Sequence, residues 1–73
     1  MRGKTRFTSA EANRIRLLLR QKSTANRSRQ EGIRAKLRIG VDFYITDFDT
    51  SFAGFTVDDF DQLVSSGRIT IQG

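Results

Sequence analysis

The chain has 73 residues, 37% of them hydrophobic, with seven aromatics, no cysteine, no histidine and a formal net charge of +5. That length makes one small domain, and the absence of Cys and His excludes disulfide staples, structural zinc sites and nucleophilic catalysis of the Ser–His or Cys–His kind. The charge is split: residues 1–40 set twelve of the thirteen Lys and Arg against Glu11 and Glu31 (+10), whereas residues 41–73 set Arg68 against six aspartates (−5).

Such asymmetry between halves marks a basic surface meant for a polyanion, or a basic half that docks on its own acidic half. No apolar run is long enough to span a membrane, and the basic N-terminus is followed by no signal-peptide core, so the chain reads as cytoplasmic and without a membrane partner. A domain this small, lacking covalent staples, often needs self-association or a bound partner.

Residues 1–6 read as a flexible basic arm, and residues 7–73 as a single small α+β domain. Thr8-Ser9-Ala10-Glu11 has capping-box spacing, and Phe7 before the cap is placed to staple back onto Ala12. The spacing predicts a helix from Ser9 to Lys22, with Ala12, Ile15, Leu18 and Leu19 on one face. Arg16 and Arg20 lie beside that stripe, one turn apart, and Leu17 points away from it. Ser23-Thr24 supplies a break and a second cap. A second helix is expected over Ala25 to Arg38, its apolar face marked by Ile33 and Leu37. Arg27, Arg34 and Arg38 share another face of it. Gly32 in mid-helix costs about 1 kcal/mol against Ala. Gly40 is placed to end the helix in the left-handed conformation.

The period then changes. Val41, Phe43 and Ile45 alternate with Asp42, Tyr44 and Thr46, which predicts a half-buried strand. A loop over residues 49–55 follows. Thr56 caps a third helix, Val57 to Ser66, with Val57, Phe60, Leu63 and Val64 as its stripe and Asp58 and Asp59 in the first turn, where the helix dipole favours them. Gly67 stops it, and Arg68 to Ile71 form a closing strand. The expected fold is therefore α+β: two N-terminal helices followed by a β-α-β unit with a two-stranded sheet, of either strand sense. The expected core is Ile15, Leu18, Leu19, Ile33, Leu37, Phe43, Ile45, Phe55, Phe60, Leu63, Val64, Ile69 and Ile71.

Chemistry has few footholds. Asp47-Phe48-Asp49-Thr50 has the DxDxT pattern of the phosphate-transfer loop of haloacid-dehalogenase-type phosphatases, but this chain has no room for the distant basic residue and acidic pair that they need. Asp47, Asp49, Ser51 and Asp58 stand at calcium-loop positions one, three, five and twelve, yet Phe52 replaces the glycine and a strand precedes the loop. Turn formation and helix capping explain these acids better. The chain reads as non-enzymatic, with no metal and no cofactor implied.

The basic half is the stronger signal. Arg16, Arg20, Arg27, Arg34 and Arg38 can lie along adjacent faces if the two helices pack antiparallel, and the guanidinium fork suits phosphate. These five are the candidate nucleic-acid-binding residues, for DNA or RNA, with little sequence reading. Tyr44 and Phe48, on one strand face, could stack bases, but six of the seven aromatics fall between Phe43 and Phe60, where the core must be built. A protein-interaction or self-associating module, a homodimer for instance, is the alternative.

The segments Phe43-Tyr44-Ile45-Thr46-Asp47-Phe48 and Gly54-Phe55-Thr56-Val57-Asp58-Asp59-Phe60-Asp61, with Leu63 and Gly67-Arg68-Ile69 after them, resemble those of short uncharacterised bacterial proteins. The resemblance covers the C-terminal two-thirds of the chain. It implies a free-standing bacterial cytoplasmic protein and brings no site residues.

Overall fold

Thr8 acts at the N-terminus as its sequence context requires. In a computed structural model describing residues 2–73, its hydroxyl accepts the Glu11 N–H at 3.1 Å, and the Glu11 carboxylate accepts the Thr8 N–H at 2.9 Å. This capping box opens helix α1, Ser9–Ser23, which buries Ala12, Ile15, Leu18, Leu19 and also Lys22. Thr8 is equally the last residue of a short strand, β1, Arg6–Thr8.

The Ser23 and Thr24 hydroxyls donate back to the Arg20 and Gln21 carbonyls, so they finish α1 instead of capping the next helix. Asn26 takes the capping role, its side chain accepting the Arg29 N–H at 2.9 Å, and helix α2 runs over Arg27–Ala35. Asparagine is among the strongest N-cap residues, which is why the start falls two residues later than the apolar spacing suggests. A π-helical turn, Lys36–Gly40, prolongs α2. Gly40 is not the left-handed residue expected there: the reversal falls on Asp42, at φ 55°. Aspartate tolerates that conformation better than most residues.

The expected strand over residues 41–48 is not formed. Its alternation reports burial correctly, with Val41, Phe43 and Ile45 inside and Asp42 and Thr46 outside. Left-handed Asp42 breaks the extended run, and Ile45–Phe48 closes into a 3-10 turn. Helix α3, Val57–Ser65, is capped by a Thr56–Asp59 box and ends before Gly67 at φ 83°. The closing strand β2, Thr70–Gln72, pairs with β1, parallel and in register Arg6–Thr70, Phe7–Ile71 and Thr8–Gln72. The class is α+β with three helices and a two-stranded parallel sheet, but the order is β-α-α-α-β, and the sheet joins the two ends of the chain.

Residues 2–5 run along the 42–47 segment and do not project as an arm; Met1 lies outside the described residues. The Arg2 and Gly3 N–H groups donate to the Asp47 carboxylate at 2.8–3.1 Å, and the Lys4 N–H donates to the Asp42 carbonyl at 3.2 Å. A Cβ on Gly3 would collide with the Asp42 carbonyl and the Tyr44 ring, so this close passage requires glycine. The backbone donors of Arg2 and Gly3 hold the Asp47 carboxyl below its ordinary value.

Phe43 centres the core. Its ring lies 5.7 Å from Phe7, 5.8 Å from Phe48, 6.0 Å from Phe55 and 5.7 Å from Phe60, with edge-on geometry to Phe7 and Phe60. Phe7, Ala12, Val41 and Phe48 join the expected core, while Leu63, Val64 and Ile71 pack only partly buried at its edge.

Phe43→Ala is expected to cost about 3–5 kcal/mol, a large share of what so small a domain holds, and to leave the chain mostly unfolded by circular dichroism. Half-buried Phe52→Ala should keep a cooperative melt; equal melts for the two variants would contradict the ring cluster. Because the Asp47 carboxyl is lowered, its contribution is complete above the ordinary value of about 4 and is lost as pH falls through the lowered one. The acid-side fall in melting temperature is therefore expected to be shallower in Asp47→Asn than in the parent.

Candidate nucleic-acid interface

The five arginines singled out by spacing are not brought onto one face. Arg16 leaves α1 toward α3: its Nε donates to the Asp61 carboxylate at 3.1 Å, and its guanidinium lies 5.3 Å from the Phe60 ring centre. Arg20, one turn on, is exposed beside a shallow groove that reaches Phe55, Thr56 and Val57. Arg34 of α2 and Arg38 of the π-helical turn after it leave on the other side, 5.8 Å from the Phe52 ring centre and 5.3 Å from that of Tyr44. Arg27, the first residue of α2, is exposed.

The reason lies in how α2 is rotated. Ile33 and Leu37 point into the core, so Arg34 and Arg38 fall on the flank that meets the 43–52 aromatics. The opposite flank faces α1. Arg29, Gly32, Ile33 and Lys36 line a groove there of about 540 Å³, with Gln21 of α1 and Thr24 and Ala25 of the turn between the helices completing it. An adjoining depression is lined by Arg14, Ala35, Lys36, Ile39 and Gly40. Arg29 and Lys36 thus line the groove, and Arg14 and Lys36 the depression beside it, and no acidic side chain lines either one. Sequence reasoning missed them, although Arg29 and Lys36 stand seven residues apart and so share a helix face.

The acidic half does little to neutralise the basic one. Among the described residues, Lys4–Glu11 at 2.7 Å pairs within the basic half, and Arg68–Asp49 at 3.7 Å within the acidic half. Arg16–Asp61 alone joins the two. Elsewhere the halves meet through rings, carbonyls and the Asp47 carboxylate, which accepts the Arg2 and Gly3 N–H groups. Lys22, only 5% exposed, donates to the Ala53 and Phe55 carbonyls at 3.2 and 3.0 Å, with its ammonium 4.9 Å from the Phe52 ring centre. Burial lowers its pKa, against a weaker upward pull from Asp59. Among the described residues, six cations lie 4.9–5.8 Å from a ring centre.

The aromatics offer no open stacking platform. Phe48 is buried, and half-buried Tyr44 sits beneath Arg38. The Asp47–Asp49 turn is engaged likewise, Asp47 by Arg2 and Gly3 and Asp49 by Arg68. Among the described residues, no three acids converge as a cation site would require, and no helix is long and apolar enough to cross a membrane. Comparison with protein-family models, curated proteins and solved structures finds no match.

Arg16→Ala is expected to cost about 0.5–1 kcal/mol, since it removes a partly exposed ion pair and a cation–ring contact. Arg14→Ala should leave the urea midpoint unchanged; equal losses would mean that the groove cations are structural too.

Proposed function

We propose that this is a non-enzymatic cytoplasmic protein that binds the phosphate backbone of nucleic acid through cations of α1 and α2, with little sequence reading. The observation that carries the reading is that, among the described residues, a single ion pair joins the oppositely charged halves. Had the basic half evolved to dock on the acidic one, its cations would be paired. Instead Arg6, Arg14, Arg20, Arg27, Arg29, Arg34, Lys36 and Arg38 have no carboxylate within 4 Å among the described residues, on a body only 31 × 22 × 21 Å across. Such crowding is relieved by a polyanion, whose condensed counterions these cations displace, and the released ions drive association.

A second reading, a self-associating or protein-binding module, is favoured by two exposed apolar side chains, Ile39 at 88% and Leu17 at 52%. Micromolar binding to nucleic acid by fluorescence anisotropy is expected, with log K falling against log salt at a slope of roughly −3 to −5. No binding at low salt, together with a concentration-dependent mass in sedimentation, would favour the second reading.

A further inference from the structure

We infer that the groove between α1 and α2 seats the sugar–phosphate backbone of a nucleic-acid duplex, with Gly32 as the point of closest approach. The inference rests on the nucleic-acid reading above and names its site and its substrate class. Three observations carry it.

The first is charge. Arg14, Arg29 and Lys36 border the groove and the depression beside it, and no Asp or Glu lines either one. Anionic backbone is the complementary occupant, and the Gln21 amide on the rim is a further donor of the kind that phosphate oxygens accept.

The second is Gly32 itself. It sits inside α2, where glycine weakens a helix, yet a Cβ there would meet nothing within 4 Å, and its backbone is not left-handed. The fold therefore gives no reason for a glycine. A ligand pressed against the helix backbone does, because glycine is the residue that permits close approach. That the bare position lies on the groove wall, between Arg29 and Lys36, ties this cost to the charged surface.

The third is the lack of aromatics in the groove. Single strands are held largely by stacking on exposed rings. Here Phe7, Phe43, Phe48, Phe55 and Phe60 are buried, and Tyr44 and Phe52 are half-buried with arginines over them. A duplex, which offers phosphates and keeps its bases stacked inside, fits a surface of cations without rings.

The test uses the full chain in anisotropy titrations with a short duplex DNA, a duplex RNA, a single strand of the same sequence and polyglutamate. The triple variant Arg14→Ala/Arg29→Ala/Lys36→Ala is compared with Arg20→Ala/Arg34→Ala/Arg38→Ala, both checked for native melts. The groove triple is expected to weaken duplex binding at least about tenfold and to reduce the magnitude of the salt slope by about 3, with a smaller effect from the other triple. Gly32→Ala should raise the melting temperature yet weaken duplex binding several-fold, a combination that a purely structural glycine would not give. Parent-like binding by the groove triple or by Gly32→Ala would overturn the inference, as would tighter binding of the single strand or of polyglutamate. If the second triple alone loses binding, the nucleic-acid reading stands and the groove does not; if the parent binds no nucleic acid at low salt, both fall.

Discussion

The packing of four phenylalanine rings around Phe43 is the interaction on which the rest of the structure depends. Phe7 brings in β1, Phe48 the 3-10 turn, Phe55 the loop before α3, and Phe60 α3 itself. A chain with neither disulfide nor zinc has to be held by its core, and aromatic side chains bury the most area per residue. Reaching that centre requires the chain to turn sharply after α2. The π-helical turn and left-handed Asp42 achieve this, and the Phe43 N–H closes onto the Leu37 carbonyl at 3.0 Å. The same closure sets the rotation of α2. Arg34 and Arg38 are thereby laid over Phe52 and Tyr44, and Arg29 and Lys36 are left on the wall facing α1. The surface charge pattern is in this sense a consequence of the core.

The aspartates serve local structure more than they neutralise charge. Asp59 closes a capping box, Asp58 stands in the first turn of α3, Asp47 gathers the N–H groups of Arg2 and Gly3, and Asp42 makes the left-handed turn. Each of these roles uses a short acidic side chain close to its own backbone or to a neighbouring one. Among the described residues, only Asp61 forms a side-chain ion pair with a cation of the basic half.

Local signals were legible in the sequence, and their sites followed. The Thr8–Glu11 box, the Thr56 cap and the Gly67 stop depend on residues three to eleven apart, and each stands where its spacing placed it. Alternation over 41–48 was legible as burial but not as a strand, because a period of two reports which side chains face inward and says nothing about a hydrogen-bonding partner. The true partner of β2 is β1, three residues at the other end of the chain, too short to show a period. The arginine faces were legible helix by helix. How each helix is rotated against its neighbour was not, since that is decided by Phe43 and by rings outside both helices. Arg14, Arg29 and Lys36 become a group only once α2 is docked.

The most direct test of the central claim, that the α1–α2 groove receives a duplex backbone, is a titration of the ¹⁵N-labelled chain with duplex DNA, followed by amide chemical shifts. The account predicts the largest changes at Gln21, Thr24, Arg29, Gly32 and Lys36, with Phe43 and α3 little affected. Changes centred on Arg16, Arg20, Arg34 and Arg38, or no changes at low salt, would contradict it.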